Sequence, residues 1–181
     1  MTANVFCTAR DEVRATRLID EMRQAGFTLT QFSMFVPERA VAGGFRPATT
    51  PGREEMNQSP PTPGSFCELS YLLNDAVSAP CGTLGRCLAT GQLAPVLKTA
   101  SAAGFGQLTS ELARAGVPRA EFYQRSISDG KILVSVHCNG LEETNRVQSV
   151  LVRAGAEDLL TAGATSSREP GPEPCTYPNA A

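Results

Sequence analysis

Two stretches that each read strand, helix, strand fall on each other without gaps at an offset of 129 residues, and a long segment of different composition separates them. Together these observations predict an α+β fold: a ferredoxin-like sandwich of two β-α-β repeats with a long, partly helical insertion between its second and third strands. At this offset Val5 meets Val134, Cys7 meets Val136, Arg17 meets Arg146, Leu18 meets Val147 and Met22 meets Leu151, while "QAG" at Gln24 meets "RAG" at Arg153. Right-handed crossovers leave two such units few ways to share a sheet. The division expected is a core from residues 1–38 and 130–164, a Pro- and Gly-rich flexible linker over 39–66, a helical insertion over 67–129 and a disordered tail over 165–181.

The first strand is "NVFCTA", short and rich in strand formers. A helix follows, because Ala15, Leu18, Ile19, Met22 and Ala25 recur at helical spacing with charges between them, and Gly26 stands at the stop. "TQFSMFVP" alternates, placing Phe32, Met34 and Val36 on one side and Ser33 and Phe35 on the other, until Pro37 ends the ladder. From Arg39 to Gly64 the chain turns to Gly, Pro, Thr and Ser and offers too little apolar surface to offset the entropy of ordering it. The Leu- and Ala-rich stretch from Cys67 to Gly116 is punctuated by Pro80, Gly82, Gly85, Gly91, Pro95, Gly104 and Gly106, which predicts several short helices. Small residues at Ala102, Gly106 and Ser110 suit close helix packing. A further helix begins with Pro118 in its first turn and stops at Gly130, the strand "GKILVSVHC" follows, and Leu141, Val147, Val150, Leu151 and Ala154 line one face of the next helix. A weak last strand is expected around Leu159 to Ala162.

Strand alternation then assigns the faces. Ile132, Val134 and Val136 share the helix-covered face with Phe32, Met34 and Val36. The opposite face carries Phe6, Ser33, Phe35, Leu133, Ser135 and His137, and is too apolar to stand open in water. Either the insertion or the sheet of a second subunit must cover it, and a homodimer is the simplest closed solution.

With 181 residues, 16 basic and 18 acidic side chains and a formal net charge of -2, the chain has no positive field for a phosphate backbone, which argues against nucleic acid as a partner. The opening "MTANVFCTARDEVRATR" turns charged at once and lacks an apolar core of the secretory kind, so a cytoplasmic location is expected, with the six cysteines reduced. "LAPVLKTASAAGFGQL" carries Lys98 and is too short and polar for a bilayer span.

The sequence holds no repeated C-x-x-C, G-x-S-x-G, H-E-x-x-H, P-loop or dinucleotide-binding glycine motif, so no catalytic residue, metal or cofactor is expected. Cys81 and Cys87, separated by five residues in a Gly-containing turn, are a candidate redox pair or half of a zinc site; Cys7 and Cys138 face the core from neighbouring strands and read as small buried hydrophobes. His137, the only histidine, is adjacent to Cys138 on a strand, so the two point to opposite faces and cannot easily share a metal. His137, Phe35, Phe6 and Tyr123 are the candidate ligand or partner contacts.

The order of elements, with "VPRAEFYQRSISDGKILVSVH" after a Gly- and Ala-rich helical stretch and before "VLVRAGAEDL", resembles the bacterial general stress protein (17M-like) domain family of heat- or stress-induced small proteins. The opening "NVFCTARDEVRATRLIDEMRQAGF" agrees with that family's first β-α unit. The resemblance implies a ferredoxin-like fold, no established enzymatic activity and no established cofactor. It also implies a hydrophobic glycine-zipper segment suggestive of membrane contact, which Arg86, Lys98 and several Thr and Ser dilute in this chain. The function expected is therefore a non-enzymatic, stress-associated interaction module, homo-oligomeric or bound to a protein partner. A small-molecule sensor domain is the alternative, and peripheral membrane association through the insertion is a weaker one.

Overall fold

The computed structural model describes residues 2–40, 73, 75–103 and 107–163. Most of the linker, the tail and Gly106 of the small-residue pattern lie outside the described residues. The described chain is a mixed α+β structure. Its strands are β1 (Ala3–Ala9), β2 (Phe32–Pro37), β3 (Val77–Pro80), β4 (Arg86–Ala89), β5 (Ile132–Cys138) and β6 (Glu157–Ala162). Its five helices are α1 (Glu12–Gln24), α2 (Ala94–Ala103), α3 (Leu108–Arg114), α4 (Ala120–Ser128) and α5 (Leu141–Ala154).

The strands form one six-stranded sheet in the order β3-β4-β2-β5-β1-β6, antiparallel at every pairing. The four strands expected from the repeats are therefore extended by two more. β3 and β4 are a hairpin from within the insertion expected to form several short helices, and they lengthen the sheet beyond β2.

The repeat seen in the sequence has a geometric counterpart. In the β1–β5 ladder Val5 faces Val136 and Cys7 faces Val134, two pairings that exchange into each other under the 129-residue offset. Phe6 and Ser135, equivalent at that offset, lie directly opposite one another, so a local twofold relation between the two units passes through this pair. The helices α1 and α5 also begin at equivalent positions, Glu12 and Leu141. The relation fails at the last strands, because seven residues separate α1 from β2 and only two separate α5 from β6.

α1 starts where the Asp11 carboxylate accepts from the Arg14 N–H at 2.8 Å, a cap worth about 1 kcal/mol. It stops at Gly26, whose φ of 90° needs no Cβ, with the Phe27 N–H donating back to the Met22 carbonyl. α1 and α5 lie side by side and run in opposite directions. The Arg146 guanidinium donates to the Ala25 carbonyl at the end of α1, Arg14 lies against Gly155 at the end of α5, and Arg153 meets Glu21 at 3.9 Å. A cation at each helix C-terminus opposes the negative end of its dipole.

Both faces of the sheet are covered. One core gathers Val5, Cys7, Phe32, Met34, Val36, Ile132, Val134, Val136 and Cys138 beneath α1 and α5, and this face matches the assignment made from alternation. The second core packs Phe6, Phe35, Cys87, Ala89 and Leu133 against Leu97, Leu108, Leu112, Tyr123 and Ile127 of α2, α3 and α4. The insertion thus covers the apolar second face, so that face gives no reason for a sheet-to-sheet dimer. Among the described residues no helix is long and apolar enough to cross a membrane.

Candidate functional site

His137 sits near the end of β5, half-buried, on the face of the second core. Its register partner on β1 is Asn4, and the Asn4 side-chain oxygen lies 3.0 Å from the His137 Nδ1. The Gln31 amide donates to the His137 carbonyl at 3.3 Å and to Glu143 at 2.8 Å, and Glu143 also accepts from the Asn139 N–H at the entry to α5. The imidazole therefore makes a cross-strand hydrogen bond between two central strands. Asn4 was not picked out from the sequence; its position opposite His137 depends on a register that alternation alone does not supply.

Phe6, Phe35 and Tyr123 do meet, but inside the protein. Phe35 and Tyr123 have no exposed surface and Phe6 has 2 %. The Phe6 and Tyr123 rings are 6.3 Å apart and tilted, and Phe122 packs edge-on against Tyr123 at 5.6 Å. The Tyr123 hydroxyl donates to the Asp158 carbonyl at 2.7 Å, with the Phe6 carbonyl 3.4 Å away. Burial pushes the phenol well above its ordinary value. These rings seal the junction between α4 and the sheet.

A charged cluster that the sequence did not mark lies where β1 and β6 part. The Thr8 hydroxyl donates to the Asp158 carboxylate at 2.7 Å; Lys131 Nζ reaches Glu157 at 2.8 Å and Asp158 at 3.2 Å; Arg10 meets Glu157 at 3.1 Å. The ion pair with Lys131 holds the Glu157 carboxyl below its ordinary range, and the same pair raises Lys131. Asp158 adopts a left-handed backbone, φ 56°, next to the register shift of β6 between Phe6 and Thr8. The cluster thus fixes an irregularity in an edge strand, and its carboxylates are already partnered.

The described cysteines are free thiols. Cys138 lies opposite Ala3 and Cys7 opposite Val134, four residues apart along β1, which is about 14 Å and beyond disulfide reach. Burial raises Cys7 to about 12 and Cys138 to about 11. Cys81 and Cys87 are different: both are buried in the second core, and the influence of each thiol on the other lowers the Cys81 pKa and raises that of Cys87. Among the described residues no three His, Cys, Asp or Glu side chains converge to hold a metal ion.

Two open hollows mark the insertion. One, of about 340 Å³, lies between α2 and α3 and is lined by Gln92, Val96, Thr99, Glu111 and Arg114; the other, of about 500 Å³, lies between α3 and α4 and is lined by Thr109, Ala113, Arg119, Glu121 and Phe122. In the second the Arg119 guanidinium sits 5.4 Å from the centre of the exposed Phe122 ring, and Arg119 has a left-handed φ of 52°. No protein-family model, curated protein or solved structure matches the chain.

Proposed function

We propose that the chain is a non-enzymatic interaction module, a cytoplasmic, stress-associated protein of the kind its sequence resembles, built as a ferredoxin-like sandwich whose insertion extends and covers the sheet. The strand order β2-β5-β1-β6 within the larger sheet supports the architecture. The observation that carries the function is the outer side of β6. No described strand pairs with it, and its side chains are anchored in both layers: Leu159 against the first core, Leu160 and Ala162 against the second. Beyond the irregularity at Asp158, the regular stretch from Leu160 to Ala162, held on both faces with one edge unpaired, is a rail for an added strand from a second copy or from a partner peptide. The opposite edge suits this less, since β3 has four residues and ends in Pro80, which has no N–H to offer.

Hydrogen exchange with sedimentation tests the reading. If copies pair through this edge, the amides of residues 157–162 exchange more slowly as protein concentration rises and the sedimentation coefficient increases with it. Monomeric sedimentation with unchanged exchange at β6 would remove the self-association form of the proposal. The second reading, a small-molecule sensor, is favoured by the 500 Å³ hollow with its stacked Arg119 and Phe122, a volume within the range of ligand pockets. A thermal-shift screen with nucleotides and metabolites separates the two, because a ligand at a hundred times its dissociation constant adds about 2.7 kcal/mol to stability.

A further inference from the structure

We propose that Cys81 and Cys87 form a dithiol that a hydroperoxide oxidises to an intrachain disulfide, closing the β3–β4 hairpin covalently. This inference is independent of the edge-pairing reading. Cys87 lies opposite Ala79 in the hairpin, and Cys81 is two residues beyond Ala79 on the same strand, so alternation brings both sulfurs to one face. That face is the second core, where both thiols are buried in the same cluster. The ladder ends at the pair Pro80 and Arg86, and a turn closed by the Cys81 N–H donating to the Gly85 carbonyl at 2.7 Å joins the strands.

Diagonal neighbours across a ladder sit about 7 to 8 Å apart, slightly beyond the range for a disulfide, so the turn must close by about 1 to 2 Å. Gly82 and Gly85, with φ of 50° and 77°, give it that freedom. They are also exposed, as is Arg86, which puts the pair one residue from solvent at the tip of the hairpin.

The two sulfurs are not equivalent. Cys81 opens the turn beside the exposed Gly82, so it meets the peroxide first, and the influence of each thiol on the other lowers the Cys81 pKa while raising that of Cys87. The Cys81 thiolate attacks the peroxide, the O–O bond breaks, and the leaving alkoxide or hydroxide takes up the proton released by Cys81, leaving a sulfenic acid. The Cys87 sulfur then attacks the sulfenic sulfur; the S–O bond breaks and the hydroxide leaves as water with the Cys87 proton. Two thiols lose two electrons, and the peroxide is reduced to one alcohol, or water, and a second water. Cys7 and Cys138 are too far apart to follow the same route.

The test is thiol mapping of the full chain treated with hydrogen peroxide, then alkylated in denaturant and digested with trypsin and a glutamate-specific protease. Cleavage after Glu68 and Arg86 sends Cys67, Cys81 and Cys87 to three different peptides. The expected product is a linked pair, residues 69–86 joined to 87–98, with two of the six thiols lost, restored by dithiothreitol and absent from Cys81→Ser. The proposal is overturned if Cys81 and Cys87 remain alkylatable, if Cys81 stops at a sulfinic acid, or if Cys87 links elsewhere. Should Cys81→Ser fail to fold, the linked peptide and thiol count of the wild-type chain decide alone.

Discussion

Replacing Gly91 by alanine tests how the insertion is fastened to the sheet. The connection from β4 to α2 lies directly on β2: the Thr90 N–H donates to the Met34 carbonyl at 2.9 Å, the Met34 N–H to the Thr90 hydroxyl at 3.0 Å, and the Gln92 N–H to the Ser33 hydroxyl at 2.8 Å. Gly91 sits between these bonds with φ 55°, and a Cβ there would strike the Ser33 hydroxyl and come within 2.8 Å of the Phe32 carbonyl oxygen. Left-handed backbone costs an alanine about 1 to 2 kcal/mol, and the overpacking adds about 1 to 3. Gly116 is the control, because its φ is 79° and a Cβ would meet nothing within 4 Å. Gly116→Ala therefore carries the backbone strain alone. Both variants gain equally from a stiffer unfolded chain, so the difference between them isolates the contact. Urea unfolding of the three proteins is expected to rank wild type above Gly116→Ala above Gly91→Ala, the last two separated by about 1 to 3 kcal/mol. Agreement between the two variants to within about 0.5 kcal/mol would show that the β4–α2 connection does not press on β2 as described.

Tyr123→Phe should destabilise by about 1 to 3 kcal/mol in the same assay, since it leaves the Asp158 carbonyl without its donor; a neutral change would deny that bond a role. Lys131→Met tests the ion pair through pH. The lowered Glu157 contributes stability above its ordinary 4.5 that is lost as pH falls below it, and the raised Lys131 contributes stability below its ordinary 10.5 that is lost as pH climbs past it. The gap between wild type and variant should be widest between about pH 5 and 10 and narrow on both sides, whereas a pH-independent gap would point to packing alone. His137→Gln should cost at most about 1 to 2 kcal/mol, the worth of one cross-strand hydrogen bond at a half-buried site. A wild-type assembly that dissociates on acidification while the Gln variant does not would make His137 a switch instead.

The parts legible in the sequence are those written in period and repetition. Alternation in "TQFSMFVP" and "GKILVSVHC" assigned the faces of β2 and β5, and the offset pairing Val5 with Val134 found the two units. The β3–β4 hairpin was missed for a physical reason. "VSAPCGTLGRCLA" is dominated by Ala, Gly, Pro and Cys, with little of the β-branched and aromatic alternation that marks a strand, and it is held extended by pairing along β2. Alternation assigned Phe6 and Phe35 to the second face, yet their depth, and the meeting of Phe6 with Tyr123, depended on where α2 to α4 would fold. Register was invisible as well, and with it the partnership of Asn4 and His137.

The sheet order governs when the protein can fold on the ribosome. β1 touches only β5 and β6, and β2 touches only β4 and β5, so the first two strands have no contact with each other in the ladder. At translation speeds of about 5 to 20 residues per second, β1 waits on the order of ten seconds for its first partner. Throughout that interval α1 has no completed sheet to close over, and Val5 and Cys7 await the strand that buries them, while β2 can already pair with β4. Release of β5 joins β1 to β2 in a single event, so the apolar surface shared by these strands is covered only late in synthesis.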